Sequence, residues 1–162
     1  MNNSLQEYLN FANKLADVAG ITSMEYFRTS LSIDNKSDES PVTIADKNTE
    51  LKIRSLIENE YPDHGIFGEE FDSVNPDAEF IWVIDPIDGT RSYIAGHKDF
   101  GNLISLTQNK KPIIGIINCP AHDERWVGVK NQSSTVNQQT VNTSNITAIE
   151  DAYIFTLSLI HI

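Results

Sequence analysis

The hydrophobic period of this chain changes once, at Tyr61-Pro62, and that change constrains its fold more than any other feature. Upstream, Leu5, Leu9, Ala12, Leu15, Ala16 and Ala19 recur at intervals of three and four, the spacing of a helix with one buried stripe. Ser4-Leu5-Gln6-Glu7 has the form of a capping box, so a first helix is expected to begin there and run to about Phe27. A second helix is expected from Thr43 to Asn59, with Leu51, Ile53, Leu56 and Ile57 on its apolar face and Tyr61-Pro62 as its stop. Residues 29–41 read as a loop or weak hairpin. Downstream the apolar runs become short and turn-bounded: Gly65–Gly68, Phe80–Ile84, Asn102–Thr107, Pro112–Asn118, Arg125–Val129 and Ala152–Ser158. Lys110-Lys111 marks a tight turn between two of them, and the polar stretch 131–147 reads as a loop or edge hairpin. Two helices followed by sequential strands predict an α+β fold, two N-terminal helices packed on a largely antiparallel sheet.

The 162 residues, 40% of them hydrophobic, suffice for one domain with a real core. The longest apolar run, Ile113–Ile117, is too short to cross a bilayer, so no membrane partner is expected. No basic-then-apolar leader opens the sequence, and a single cysteine, Cys119, rules out an internal disulfide. Both features point to the cytoplasm. The net charge of −11 is concentrated: residues 34–100 hold 16 acidic against 6 basic side chains. Such a surface repels nucleic-acid phosphates, so no nucleic-acid partner is expected. Concentrated carboxylates serve either as a solvated face or as hard oxygen ligands for Mg²⁺ or Ca²⁺.

Spacing sharpens that choice. In Trp82-Val83-Ile84-Asp85-Pro86-Ile87-Asp88-Gly89-Thr90 an apolar strand delivers Asp85 at its end, where Pro86 cannot continue a ladder. Asp85 and Asp88 can converge across the bend, with the Ile87 carbonyl facing the same space and the Gly89-Thr90 amides free to meet an anion. Read alone, the segment fits a plain Asp-Pro turn equally well. Phe67-Gly68-Glu69-Glu70 ends a second apolar run with carboxylates. If the two strands are neighbours, Glu69 and Asp85 could share one cation and Asp88 begin a second, the paired arrangement of phosphoryl transfer. In Pro41-Val42-Thr43-Ile44-Ala45-Asp46, Asp46 either caps the second helix or accepts a hydrogen bond from the Thr90 hydroxyl.

Taken together, Val42-Thr43-x-Ala45-Asp46, Gly68-Glu69-Glu70 and Trp82–Thr90, in that order, resemble the inositol monophosphatase family of Mg²⁺-dependent, lithium-sensitive phosphatases. The resemblance implies that Glu69, Asp85 and the Ile87 carbonyl hold a first Mg²⁺ and that Asp85 and Asp88 hold a second. It implies that the Gly89 and Thr90 amides hold the substrate phosphate, and that Thr90 with Asp46 activates the attacking water. Carboxylates and a carbonyl are the donors Mg²⁺ prefers. Arg91–Gly101 looks most like the histidinol-phosphate phosphatase branch, with Arg91 either contacting the substrate or pairing with a nearby carboxylate. The expected activity is hydrolysis of a small phosphate monoester, L-histidinol phosphate first, with inositol or related sugar and nucleotide phosphates as the alternative. The family's homodimeric habit makes a second copy the expected protein partner.

The family's second half carries a Trp-Asp-x-Ala-Ala type motif that is absent here. Residues 1–162 are therefore expected to form an N-terminal metal- and phosphate-binding domain without the C-terminal α/β part. Such a chain would be either part of an active phosphatase or a metal-binding half without turnover. A Ca²⁺ module on the same carboxylates lacks the twelve-residue ligand loop. Trp82 and Trp126 are expected as core or layer-packing residues, Cys119 as a small buried hydrophobe, and His97 on a surface loop.

Overall fold

A computed structural model describes residues 3–30, 33–35 and 41–153. Helix α1 spans Asn3–Tyr26. Ser4 lies inside its first turn rather than ahead of it, so the capping-box reading at Ser4 does not hold. Strands β1 (Ile33–Asn35) and β2 (Pro41–Thr43) pair antiparallel, a small hairpin within the stretch read as loop or weak hairpin. Helix α2, Ile44–Glu60, follows directly with Thr43 as its N-cap.

The remaining strands are β3 (Gly65–Gly68), β4 (Phe80–Asp88), β5 (Gly101–Gln108), β6 (Lys111–Cys119), β7 (Glu124–Val129), β8 (Thr135–Val136) and β9 (Gln139–Thr140). They form one sheet in sequence order, parallel only between β3 and β4. Tight turns make that order: Asn109-Lys110 and Asn137-Gln138 both take positive φ, as two-residue hairpin loops require. The strand expected over Ala152–Ser158 is not seen at Ala152 and Tyr153 and otherwise lies outside the described residues. A short helix that the sequence reading missed, α3 (Thr90–Ile94), follows Gly89.

Both long helices cover one face of the sheet. Ala12, Leu15, Ala16 and Ala19 of α1 and Ile53 and Ile57 of α2 pack against Trp82, Ile84, Ile104, Leu106, Ile114 and Ile116. The alternate strand residues, Val83, Leu103, Ser105 and Ile117 among them, face the other way. Phe67, Ile117 and Trp126 are 58%, 49% and 40% exposed. Trp126 therefore lies outside the closed core, on the open face of the sheet, whereas Trp82 is fully buried within the core. Cys119 ends β6 half-buried.

Candidate active site

The parallel β3–β4 pair sets the site, because Gly68 lies opposite Ile84 and the next residues of both strands emerge together. Glu69 follows β3; Asp85 follows Ile84 on the sheet face that the helices leave open. Contrary to the expectation that the strand stops at Asp85, β4 runs on to Asp88. The ladder skips Pro86 and Ile87: Asp85 pairs with Leu103 and Asp88 with Gly101, so β4 carries one residue more than β5. That bulge keeps proline out of the ladder and brings Asp85 and Asp88 onto one side. It is pinned from within. Asn102, fully buried, donates its side-chain N–H to the Pro86 carbonyl at 2.7 Å and to Ser23 Oγ at 3.3 Å. Ile87 buries its side chain with Ala45, Tyr93 and Phe100.

Glu69, Asp85 and Asp88 line one open cleft whose floor includes Phe67, Leu103 and Ile117. Burial above all, then the charge of Glu69 and its side-chain hydrogen bond, then the charges of Asp88 and Asp46, together push the Asp85 carboxyl up to about 8. Asp85 Oδ1 is buried with no hydrogen-bond partner, an expensive state for a carboxylate oxygen. An oxygen so placed among carboxylates fits a hard cation. Among the described residues, no three Asp, Glu, His or Cys side chains are gathered closely enough to share an ion as they stand.

Asp46 is 1% exposed and forms a reciprocal cap. Its Oδ2 accepts the Thr43 N–H at 2.8 Å and the Thr43 hydroxyl at 2.6 Å, and Thr43 Oγ1 accepts the Ala45 N–H at 3.1 Å. The expected bond from the Thr90 hydroxyl to Asp46 is not formed. Gly89, at φ 84°, turns the chain straight into α3, so Thr90 folds back and gives its one hydroxyl proton to the Ile87 carbonyl at 3.0 Å. The Thr90 amide is among the N–H groups a helix start leaves without an intrahelical acceptor. Arg91 is exposed and makes no ion pair among the described residues, so the expected carboxylate partner is not seen. His97 is exposed as expected.

The structure thus brings Glu69, Asp85, Asp88 and Asp46 to one end of the sheet, with the Ile87 carbonyl and the start of α3 beside them. Sequence reasoning missed two supports, Asn102 and Glu50. Glu50 carried a usable signal: a charged residue three and seven positions before Ile53 and Ile57 sits on the face that should be apolar.

The carboxylates thus lie at the ends of a parallel strand pair, beside the start of α3. The sequence pattern of the inositol monophosphatase family matches residues 4–161, and the chain belongs to that family. It is 39% identical over 156 residues to the bifunctional phosphatase IMPL2, chloroplastic, of Arabidopsis thaliana, covering 95% of this chain and 45% of that protein. It is 41% identical over 139 residues to a histidinol-phosphatase of Chlorobaculum parvum, covering 85% and 54%. Among solved structures, an inositol monophosphatase from Zymomonas mobilis superposes with a TM-score of 0.77 at 44% identity, covering 90% of this chain and 56% of that one. The chain spans about half the length of the curated relatives it matches. That likeness agrees with the two-helix, mostly antiparallel architecture.

Proposed function

We propose that this chain carries the cation- and phosphate-binding site of a Mg²⁺-dependent phosphate monoester hydrolase, with L-histidinol phosphate as the leading substrate. The observation that carries the reading is Asp85 Oδ1, buried without a partner while other carboxylates press on the same group. Mg²⁺ is the family's cation, and bound there it would neutralise phosphate charge and lower the pKa of a water. Glu69, Asp85 and the Ile87 carbonyl would hold one ion, and Asp85 with Asp88 a second. The Gly89 and Thr90 amides would receive the phosphate oxygens. Thr90 would orient the attacking water and pass a proton toward Asp46, once the Ile87 carbonyl is taken as a ligand and its bond from Thr90 released. Arg91, exposed beside the phosphate amides, is the candidate contact to the rest of the substrate. One relative supports the substrate by its name, the histidinol-phosphatase of Chlorobaculum parvum. A homodimeric assembly belongs to the same reading.

A second reading, a metal-binding half without turnover of its own, is favoured by the chain's spanning about half the length of the curated relatives it matches. One set of assays separates the two. Phosphate release by the chain with Mg²⁺ is measured on histidinol phosphate, inositol monophosphates, fructose bisphosphate and 3′-phosphoadenosine 5′-phosphate. Histidinol phosphate should be hydrolysed fastest, and Asp85→Asn should abolish release. Preference for any of the other three overturns the histidinol assignment. Thermal unfolding supplies the readout apart from turnover. In chelator Asp85→Asn should melt above the wild type, since it relieves carboxylate crowding, and only the wild type should gain stability with Mg²⁺. Mg²⁺ stabilisation without turnover would establish the second reading.

A further inference from the structure

The loop that carries Glu69 is gripped from beneath by a buried carboxylate of α2. Glu50, on α2, is wholly buried. Its Oε2 accepts the backbone N–H of Glu69 at 3.0 Å and of Glu70 at 2.8 Å. Its Oε1 accepts the backbone N–H of Phe71 at 3.3 Å and Arg54 Nε at 2.8 Å. An ionised carboxylate offers about four lone-pair sites, and here all are used. Arg54, also buried, donates Nη2 to the Phe71 carbonyl at 2.9 Å, so the pair holds both the donors and an acceptor of one short loop. Gly68 permits the approach: a methyl there would overlap the Glu50 carboxylate and crowd the Arg54 guanidinium.

A buried Arg–Glu pair is poor evidence of added stability, because well-packed apolar residues often do as well or better in its place. Glu50 stands in step with Ile53 and Ile57, where a leucine would serve the core. What the pair supplies instead is direction. Glu69 is itself exposed, so packing does little to aim it; its side chain bonds directly to Asp85, and the backbone bonds to Glu50 hold the segment from which it reaches.

We propose that Glu50 is a positioning residue, whose carboxylate fixes the 69–71 backbone so that Glu69 faces Asp85 and thereby sets the cation affinity of the site. The proposal rests on Glu69 and Asp85 being cation ligands. Glu50→Gln tests it, because the amide keeps the size but turns an NH₂ group against backbone N–H donors. Mn²⁺, an oxygen-seeking octahedral probe, is titrated into the full 162-residue chain with the free ion read by electron paramagnetic resonance. Amide hydrogen exchange is followed in parallel.

Affinity should fall about tenfold, the lower end of the effect of outer-shell partners on metal sites. The amides of 69–71 should exchange faster while β4 and β5 keep their protection. Glu69→Gln should lower affinity without speeding those amides, and Glu50→Gln/Glu69→Gln should bind no more weakly than Glu69→Gln alone, since residues acting through one another are not additive. A purely structural role would speed the amides with Mn²⁺ affinity unchanged, or would add its loss to that of Glu69→Gln; either result overturns the proposal. Should Glu50→Gln fail to fold, Gly68→Ala keeps both charges and displaces the carboxylate, and wild-type affinity in that variant is equally fatal. Mn²⁺ affinity indifferent to Glu69→Gln would instead sink the ligand assignment, and the proposal with it.

Discussion

His64 shows how a single residue here is fixed by its neighbours rather than by its own chemistry. Its ring stacks on Tyr61 at 4.7 Å and on Phe80 at 5.0 Å between centroids, and its Nδ1 receives the Trp82 indole N–H at 3.2 Å. An indole nitrogen only donates, so Nδ1 must be the bare nitrogen and Nε2 carries the proton. Burial lowers the His64 pKa below 6.5, against the opposing pull of Asp63 and Glu79. The neutral ring is thus favoured in the folded chain, and this contribution to stability is complete above pH 6.5. It is lost as pH falls from 6.5 through the lowered folded value. Protonation also places a proton against the Trp82 donor. The raised Asp85 carboxyl acts in the opposite direction over the same range, so the His64 part is read as a difference: between pH 7 and pH 5 the stability of the wild type, followed by urea unfolding and tryptophan fluorescence, should fall relative to that of His64→Gln. An unchanged difference between the two proteins across that range would assign the pH dependence elsewhere.

Elements whose cause is local were legible in the sequence. The helical stripe of α1, the stop of α2 at Tyr61-Pro62 and the two-residue hairpin between β5 and β6 each follow from a period or a turn. The β4 bulge and α3 do not. They arise where Gly89 takes a positive φ and where Asn102, far from Pro86 in sequence, supplies its carbonyl with a donor. The site was legible in the same proportion: the spacing of Asp85 and Asp88 marks them, but Glu50 and Asn102 act through backbone bonds that no motif records. Asn102 also accepts from Asn118 at 2.9 Å, Asn118 accepts from Arg125 at 3.0 Å, and Arg125 pairs with Asp17 at 2.7 Å. That chain joins the bulge to the rim of α1, and its cost of removal should fall along it. Asn102→Ala leaves buried groups without partners, each costing about 1–3 kcal/mol. Asp17→Asn loses a largely exposed charge worth about 0–1 kcal/mol. Urea midpoints at constant m-value measure both, and an Asn102→Ala loss no larger than that of Asp17→Asn would show that the bulge does not depend on the network.

At the scale of the whole molecule the sheet is asymmetric. One face meets α1 and α2 in a closed core; the other presents Phe67, Ile117 and Trp126 beside the carboxylate cleft. An apolar surface next to concentrated negative charge has two separable effects, since the first attracts apolar probes and the second disfavours anionic ones. The folded chain should therefore enhance the fluorescence of a neutral dye such as Nile red more than that of the anionic anilinonaphthalene sulfonate, and added Mg²⁺ should narrow the difference by offsetting the carboxylates. Phe67→Thr with Ile117→Thr should abolish most of the signal at about 0.5 kcal/mol of stability or less each, as exposed positions allow. Leu106→Ala, one residue along β5 from the open face but turned into the core, should cost about 2–5 kcal/mol and leave the dye signal intact. The contrast follows from strand alternation alone. Dye binding that survives the threonine pair, or a large stability loss from it, would mean that the two faces of the sheet do not differ in this way.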